Sequence, residues 1–515
     1  MLCRAIRDLI DNTVELQYKL ALARAGRVEV GQSKLCIADR LRALENLCTN
    51  GFSLPTVPFI MLPDDIDPRW PAVTDGFIPY LANNSSDLVL WRPTFPSEDA
   101  PEERRDVPAV MSHLSTPPQV PEAKMGTLAV DVAQGLLVFT RAAQPDISTP
   151  ECYVYSISEG RPHSAAGPGP LRIDFEPVFV EDGFNTIEDL QIFGDVVAWS
   201  ITDDTHSAVY VWNWKTSVLV WHRQSDARGS SCRVISPCHV VLVTAQAVSV
   251  YSFDSSEDAE RPQEPGASLA DPLCVLALPA LKPAPYPPYV RTYMQFPPSA
   301  PTPAPQSNGD PGVAFGLDPA LTVLTITLLL STVDKHNLVG SDYRYAIFVP
   351  LSTLREHIDA AAHSDADTDA DVGVDAGRRT VPVPWAEWGP PGTRIVRFSA
   401  ISHISAMGSR CAFMRQEQGP SGELHVVLFD VRRGAGNDRD VESLFDELFD
   451  AREGLGPTLS FVEEIRTTFP VDVEYSVYGS MLSGYLLQDA VAMSSQAWGT
   501  QGGLGWQWPG FESWV

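Results

Sequence analysis

Short apolar runs recur along most of the chain, and each is bounded by glycine, proline, aspartate or asparagine. Apolar runs of about four to eight residues between turn residues are typical of β-strands. The runs cover residues 87–91, 127–131, 135–139, 152–156, 191–199, 240–244, 248–251, 321–325, 344–349 and 424–429. Gly135 and Gly194-Asp195 lie between paired runs, where hairpin turns are expected. Because roughly 400 residues follow this pattern, we predict a mainly β, propeller-like repeat array of undetermined blade number.

Residues 209–216 (Val-Tyr-Val-Trp-Asn-Trp-Lys-Thr) give the clearest hairpin of this array. Tyr210, Trp212 and Trp214 are expected on one face, because successive side chains of a strand point to opposite faces. Polar residues then form a turn, and a second apolar run at 217–221 returns along the first. We interpret the two tryptophans as the core of a display platform rather than as a ligand cage. The hairpin therefore indicates binding rather than chemistry.

The first 50 residues have helical periodicity instead. One apolar stripe at helical spacing marks a first helix: Leu2, Ile6, Leu9 and Ile10. Asn12 and Glu15 have the spacing of a capping box for a second helix, which Gly26 is placed to end. The apolar positions of the second and third helices are Val14, Tyr18, Ala21, Leu22 and Ala25, and Ile37, Leu41, Leu44 and Cys48. We predict a small module of three helices that share one apolar side.

These patterns divide the chain into a helical module at residues 1–50 and a propeller-like β domain at residues 51–515. Three insertions within the β domain are predicted to be disordered, near 97–121, 283–311 and 363–379, the second of them rich in proline. Residues 365–371 alternate aspartate with other residues, as the start of a calcium loop does. Ala370 and Ala376 stand where such a loop has glycine and glutamate, so we interpret the segment as a solvated acidic loop.

Charge and cysteine content narrow the classes of partner. The net charge is −28, and an acidic surface repels phosphate backbones, so nucleic acid and anionic membrane are not expected partners. Eight cysteines occur without paired spacing and no signal peptide precedes them, which indicates reduced thiols in the cytoplasm or nucleus. The longest apolar run, residues 321–330, is too short to span a bilayer and is predicted to be a buried strand.

No catalytic motif is present in the sequence. Cys232, Cys238 and His239 are close in sequence, but without a second ligand pair we interpret the cysteines as core residues flanking a turn rather than zinc ligands. The adjacent carboxylates at 203–204 and 463–464 are interpreted as solvated charge. We therefore predict no catalytic residue, cofactor or metal, although active sites converge in space rather than in sequence.

Several stretches together resemble the F-box proteins that are numerous in mushroom-forming (basidiomycete) fungi. Residues 2–10 (Leu-Cys-Arg-Ala-Ile-Arg-Asp-Leu-Ile) resemble the last helix of an F-box, and residues 16–26 resemble the helix that follows it in these proteins. Residues 211–216, 383–390 and 478–489 also look like parts of this family. The resemblance covers nearly the whole chain, and its motifs are structural rather than catalytic.

The resemblance implies a role in a ubiquitin ligase. The F-box of this family docks on the Skp-type linker of SCF (cullin–RING) ligases, and the β domain is taken to hold the protein substrate. The positions that match the retained end of the box are Leu2, Cys3, Arg4, Leu9 and Ile10. They are expected either to bind the linker or to pack the helix against the next one. The Leu-Pro-x-Glu helix that opens an F-box, and the helix after it, have no counterpart here, so the box is expected to be truncated at its N-terminus.

Three functions follow from this reading. The first is a substrate-recognition adaptor of an SCF-type ligase. The second is a stand-alone propeller-type interaction scaffold that has lost F-box function. The third is a hydrolase or lyase that uses a central channel, which requires histidines and carboxylates clustered at the channel mouth.

Overall fold

The computed structural model of the protein describes residues 4–30, 35–49, 59–61, 78–81, 88–91, 111–114, 125–131, 133–141, 151–173, 187–202, 207–225, 230–255, 271–281, 289–294, 314–330, 343–366, 380–398, 403–416, 424–430, 472–478, 483–486 and 491–494. Within these ranges, no helix is both long enough and apolar enough to cross a membrane.

Three helices and one strand form the N-terminal module. They are α1 (Arg4–Asp11), α2 (Val14–Ala25), β1 (Arg27–Val30) and α3 (Ile37–Thr49). Gly26 ends α2 as predicted, because its φ of 59° is accessible to glycine at little cost. The predicted capping box is wrong. Thr13 occupies the N-cap position without a side-chain bond, while the Asn12 side chain donates to the Asp8 carbonyl of the preceding helix. The strand β1 was not predicted.

The β region begins with four short strands. They are β2 (Phe59–Met61), β3 (Ile78–Leu81), β4 (Leu88–Trp91) and β5 (Met111–Leu114). Strands β3, β4 and β5 form an antiparallel sheet, here called sheet 1. Strand β5 lies inside the segment 97–121, which was predicted to be disordered from its prolines and charges.

The next three sheets are four-stranded antiparallel meanders that follow the chain. Sheet 2 contains β6 (Met125–Asp131), β7 (Leu136–Arg141), β8 (Glu151–Ser156) and β9 (Leu171–Arg172). Sheet 3 contains β10 (Ile187–Phe193), β11 (Val196–Thr202), β12 (Ser207–Asn213) and β13 (Val218–Ser225). Sheet 4 contains β14 (Ser231–Ser236), β15 (His239–Val243), β16 (Ala247–Ser252) and β17 (Cys274–Ala277).

Sheet 5 is interrupted by two additions. Its strands are β18 (Tyr289–Tyr293), β20 (Val323–Leu330), β21 (Tyr343–Pro350) and β22 (Arg394–Phe398). Strand β19 (Ala314–Leu317) lies between β18 and β20 in the chain, but it pairs with β1 instead of joining this sheet. Helices α4 (Leu351–Ala366) and α5 (Trp385–Gly392) lie between β21 and β22 in the chain. Strand β18 and the end of α4 lie inside the predicted insertions 283–311 and 363–379. They were not predicted, because the overall composition of a segment does not reveal a short ordered stretch within it.

Two further sheets complete the described chain. Sheet 6 contains β23 (His403–Met407), β24 (Arg410–Gln416), β25 (Leu424–Asp430) and β26 (Asp472–Tyr478). Sheet 7 contains β27 (Ser483–Leu486), β28 (Val491–Ser494) and β2, which pairs with β28 in parallel. The first strand of the β region therefore pairs with the last one. The helix-like segment at 441–449 lies outside the described residues.

Sheets 2 to 7 adjoin one another in chain order. The first strand of each sheet contacts the first strand of the next, from β6 to β10, β14, β18, β23 and β27. Apolar clusters fill the spaces between consecutive sheets, and separate clusters lie between sheets 2 and 3, 3 and 4, 4 and 5, and 5 and 6. Antiparallel sheets that pack face to face in chain order are typical of a propeller. The mainly β, propeller-like fold predicted from the sequence is confirmed.

Strand β12 explains why the apolar runs of the sequence are nearly continuous. Tyr210 and Trp212 face the cluster shared with sheet 2, and Val209 and Val211 face the cluster shared with sheet 4. A sheet covered on both faces needs apolar residues at every position rather than at alternate ones. Strand β20 is also covered on both faces, and its described side chains are buried, as predicted for residues 321–330.

The insertion in sheet 5 covers the outer edge of sheet 4. Val383 donates to the Val275 carbonyl at 2.8 Å and accepts from the Ala277 amide at 2.9 Å, so it forms an isolated parallel bridge to Leu276 at the outer side of β17. The indole of Trp388 on α5 is buried and donates to the Ala277 carbonyl at 2.9 Å. Unpaired strand edges are prone to aggregation, and this segment satisfies one of them.

Candidate functional site

Helix α1 has an apolar stripe that the rest of the described structure leaves largely uncovered. Ile6 is 45% exposed and Leu9 is 58% exposed, whereas Ile10 is half-buried. Residues three and four apart share one face of a helix, so these three side chains form a continuous stripe. Arg4 is exposed beside it. Large apolar residues grouped on a surface are typical of interaction sites.

The predicted partner-binding residues are therefore divided. Arg4, Leu9 and Ile10 belong to the described helix, with Leu9 the most exposed of the three. Leu2 and Cys3 lie outside the described residues. Ile6 was assigned to the apolar stripe but not to the candidate site, and its exposure adds it to this surface. Here the stripe Ile6, Leu9 and Ile10 is called the α1 face.

The helices behind the α1 face have a small core. Tyr18, Ala25 and Leu44 are its buried members, and Phe315 of the β region packs against them. The core joins α2 to α3 and reaches the strand pair of β1 and β19, in which Val28 is opposite Gly316. The Gly26 carbonyl also accepts a bond of 3.0 Å from the Asp318 amide. The module is thus attached to the β region by backbone pairing and by one aromatic side chain.

A polar cluster fixes the geometry inside the module. The Tyr18 hydroxyl donates to Glu29 at 2.8 Å, and Arg40 pairs with the other carboxylate oxygen of Glu29 at 2.8 Å. Arg40 also donates to the Leu35 carbonyl at 2.9 Å. Burial raises the pKa of the Tyr18 hydroxyl, and its hydrogen bond to Glu29 raises it further. The cluster ties α2, β1 and α3 together, and α1 is joined to α2 by the Gln17 side chain, which donates to the Asp11 carbonyl at 2.7 Å.

The tryptophan hairpin is a structural element, as its apolar pattern indicated. Trp212 and Trp214 are both 1% exposed and, with Tyr210, belong to the cluster between sheets 2 and 3. The Trp214 indole donates to the Gly194 carbonyl at 3.0 Å. Asn213 accepts from the amides of Lys215 and Thr216, which closes the turn. Both indole rings are almost completely enclosed, so the two tryptophans are core residues rather than a ligand cage.

The innermost strands are linked by a polar network. Arg233 on β14 forms an ion pair with Asp189 on β10 and donates to the Thr292 carbonyl on β18 at 2.5 Å. Burial lowers the pKa of the Arg233 guanidinium, but the charge and hydrogen bond of Asp189 outweigh it and raise this pKa. Gln191 exchanges two hydrogen bonds with the Val234 backbone. The network joins three neighbouring sheets and is consistent with a structural role.

The cysteines at 232 and 238 have different surroundings. Cys232 is buried between sheets 3 and 4, as predicted for a core residue. Cys238 is exposed in the turn between β14 and β15, so the prediction that it belongs to the core is wrong. The turn places its side chain outside the sheet. In the part of the chain that the structure describes, no three histidine, cysteine or carboxylate side chains are close enough to hold a metal ion. The carboxylate pairs at 203–204 and 463–464 lie outside the described residues.

Comparisons with known proteins return structural neighbours only. No family model matches the chain, and no curated protein matches it. Among solved structures, the WD40 domain of Toxoplasma gondii coronin is 8% identical, covers 74% of this chain and 75% of its own, and has a TM-score of 0.30. Hsv2 of Kluyveromyces lactis is 9% identical over 53% of this chain and 83% of its own, with a TM-score of 0.20. A eukaryotic initiation factor is 6% identical over 73% and 87%, with a TM-score of 0.23.

Proposed function

We propose that this chain is a non-catalytic protein-interaction subunit that docks on an assembly partner through the α1 face and holds a second protein on its β-sheets. In its specific form, the partner is the Skp-type linker of an SCF (cullin–RING) ubiquitin ligase, and the second protein is the ligase substrate. The proposal places the chain in the cytoplasm or nucleus and gives it no cofactor.

The observation that carries the proposal is the exposure of the α1 face. Leu9 and Ile6 are 58% and 45% exposed, although both belong to a helix that contacts α2. Burying a leucine side chain contributes about 1.5–3 kcal/mol, so a partner that covers this face gains a large part of a binding free energy. The resemblance of residues 2–10 to the end of an F-box names the linker as that partner.

The β-sheets suit the second half of the role. Their interiors are filled by apolar clusters, and the polar network of Arg233 and Asp189 is paired within the fold. Rigid sheets of this kind position loops, and loops are where binding residues concentrate. The substrate is a protein whose identity depends on those loops.

A binding measurement with purified linker tests the specific form. The full chain is titrated with a Skp-type linker protein and its cullin, and we expect a complex of defined stoichiometry. Leu9→Gln removes the most exposed apolar side chain of the α1 face and keeps a good helix former, so affinity is expected to fall by about tenfold or more. Val381→Gln is the matched control, because Val381 is an apolar residue of the β region that is 81% exposed.

Two results contradict the adaptor role. If neither this chain nor a form extended upstream by a Leu-Pro-x-Glu helix binds the linker, the SCF assignment fails. If both Leu9→Gln and Val381→Gln weaken binding equally, the α1 face is not the docking surface. The stand-alone scaffold is the second candidate, and the propeller-like sheets support it without any contribution from α1. It predicts no linker binding by either form.

A further inference from the structure

A thiol, an imidazole and a hydroxyl meet at the turn between β14 and β15. Ser236 ends the first strand, His239 begins the second, and Cys238 is exposed between them. The Cys238 carbonyl accepts from the Phe253 amide at 3.0 Å, and its amide donates to the Ser236 hydroxyl at 3.3 Å. Both backbone groups of Cys238 are therefore bonded, which fixes the backbone of the turn at this residue.

The three functional groups face one another. The Cys238 sulfur is 3.4 Å from His239 Nδ1 and 3.6 Å from the Ser236 hydroxyl oxygen, which is itself 2.8 Å from the same Nδ1. A nucleophile beside a base that a third group orients is the arrangement that activates a thiol. When Nδ1 accepts the thiol proton, the imidazolium and the hydroxyl both become donors toward the thiolate.

The imidazole is in the right protonation state for this step. Burial lowers the pKa of His239, and Asp359 on α4 acts in the opposite direction. Because the pKa is lowered on balance, the ring is neutral near pH 7 and its Nδ1 is able to accept a proton. Asp359 also opposes any positive charge that would draw in anions, so neutral reagents are the ones this site is expected to take.

The other described cysteines lack these features. Four are buried, namely Cys152, Cys232, Cys274 and Cys411. Burial raises the pKa of Cys232 and Cys411 to about 12 and that of Cys274 to about 11, which suppresses their thiolates. Cys36 is exposed, but its thiol donates to an Asp39 carboxylate oxygen at 3.0 Å. The Cys36 sulfur therefore contacts a carboxylate rather than an imidazole, so Cys36 is an exposed control with a different neighbour.

We propose that Cys238 is a thiol-modification site that undergoes exchange with small, uncharged disulfides, with His239 as proton acceptor and Ser236 as positioning residue. The Cys238 sulfur attacks one sulfur of the disulfide, the S–S bond breaks, and a mixed disulfide forms on the protein. The leaving thiolate takes the proton that His239 received. The exposed turn between β14 and β15 then carries a mixed disulfide that a thiol can reverse.

Dipyridyl disulfide is the probe, because it is neutral and releases a coloured thiopyridone. The native full chain is treated with less than one equivalent, and the modified peptides are assigned by mass spectrometry. We expect Cys238 to react about tenfold or more faster than Cys36, because an imidazole that a hydroxyl orients stands beside the Cys238 sulfur. This comparison requires no variant and therefore does not depend on the folding of one. Equal rates at Cys238 and Cys36 would overturn the proposal.

The role of His239 is tested by the pH profile of the Cys238 rate. In His239→Gln the Cys238 rate is expected to fall more steeply between about pH 8 and about pH 6 than in native protein, because the variant lacks the imidazole 3.4 Å from the sulfur. Ser236→Ala is expected to lower the rate without steepening the profile. Unchanged rate and profile in His239→Gln, with the circular dichroism of native protein, would exclude the imidazole from the reaction.

Discussion

The side chains of sheet 3 pack against sheet 2 on one face and sheet 4 on the other, whereas α1 turns Ile6 and Leu9 toward solvent. Both regions are rich in apolar residues, but only the sheets have neighbours that cover them. Among the described residues of the helical module, three apolar side chains are buried in one small cluster. The difference separates two uses of apolar surface in one chain. In the sheets it stabilises the fold, and on α1 it remains available to a partner.

The largest effect on stability is expected in the tryptophan hairpin. Trp212→Ala leaves a cavity between sheets 2 and 3 and should lower the free energy of unfolding by about 3–5 kcal/mol, as measured by urea denaturation. Val381→Ala is the control, because a side chain that is 81% exposed should change stability by no more than about 0.5 kcal/mol. A loss under about 1 kcal/mol in Trp212→Ala would contradict the close packing of the two sheets.

The next effect compares two ion pairs. Asp430 is 5% exposed and accepts from Arg410 at 3.1 Å and from Ser409 at 2.8 Å. Asp430→Asn removes a buried counter-charge of the Arg410 guanidinium and should cost about 3 kcal/mol or more. Asp39 of α3 pairs with Arg42 at an exposed site, so Asp39→Asn should cost no more than about 0.5 kcal/mol. Equal losses of unfolding free energy in the two variants, measured by urea denaturation, would show that burial does not decide how much each ion pair contributes.

A smaller effect tests the polar cluster of the module. Burial and the bond to Glu29 raise the pKa of Tyr18 in the folded protein. Its contribution to stability is therefore complete below the unfolded pKa of about 10 and is lost as pH rises toward the folded value. Tyr18→Phe should cost about 1 kcal/mol at neutral pH through the lost hydrogen bond. The variant should also lose less stability than native protein between about pH 9 and about pH 11, which denaturation at each pH measures. A pH dependence identical to that of native protein would place the titration elsewhere.

The smallest effect on stability is expected at the α1 face. Leu9→Gln should change the free energy of unfolding by no more than about 0.5 kcal/mol, because the side chain is largely exposed and glutamine is a good helix former. The same substitution is expected to weaken partner binding most strongly. A stability loss as large as that of a buried leucine, measured by urea denaturation, would mean that Leu9 packs within the protein instead.

The fold was predictable from the apolar runs because a sheet covered on both faces leaves a strong local signal. The ten predicted runs all coincide with strands, and Gly135 and Gly194 form turns with positive φ. Segments with several prolines concealed β5 and β18, since composition averages over the few residues that form a strand. The pairing of β1 with β19 was beyond prediction because its partners are remote in sequence.

The candidate sites were predictable to a smaller extent. Helical spacing identified the stripe of Ile6, Leu9 and Ile10, but spacing is the same whether a stripe faces a neighbour or solvent. The Cys238 cluster was missed because a sequence search for ligand spacing asks for a second pair. Ser236 lies two residues before Cys238 and His239 one residue after it. Only the hairpin turns all three side chains toward one another, and a polar triplet around a predicted turn is the signal that would have indicated it.

The pairing of β1 with β19 also affects when the helical module completes its structure during synthesis. A ribosome adds about 5–20 residues per second, so residue 317 follows residue 30 by roughly 15–60 s. During that interval the nascent N-terminal helices have neither their partner strand nor the ring of Phe315. The strand edge of β1 stays open to any other extended chain nearby. The helical module is synthesised first, but it completes its structure only after β19 has been made. A nascent chain that stalls before residue 314 therefore exposes the unpaired edge of β1, which is paired in the complete protein.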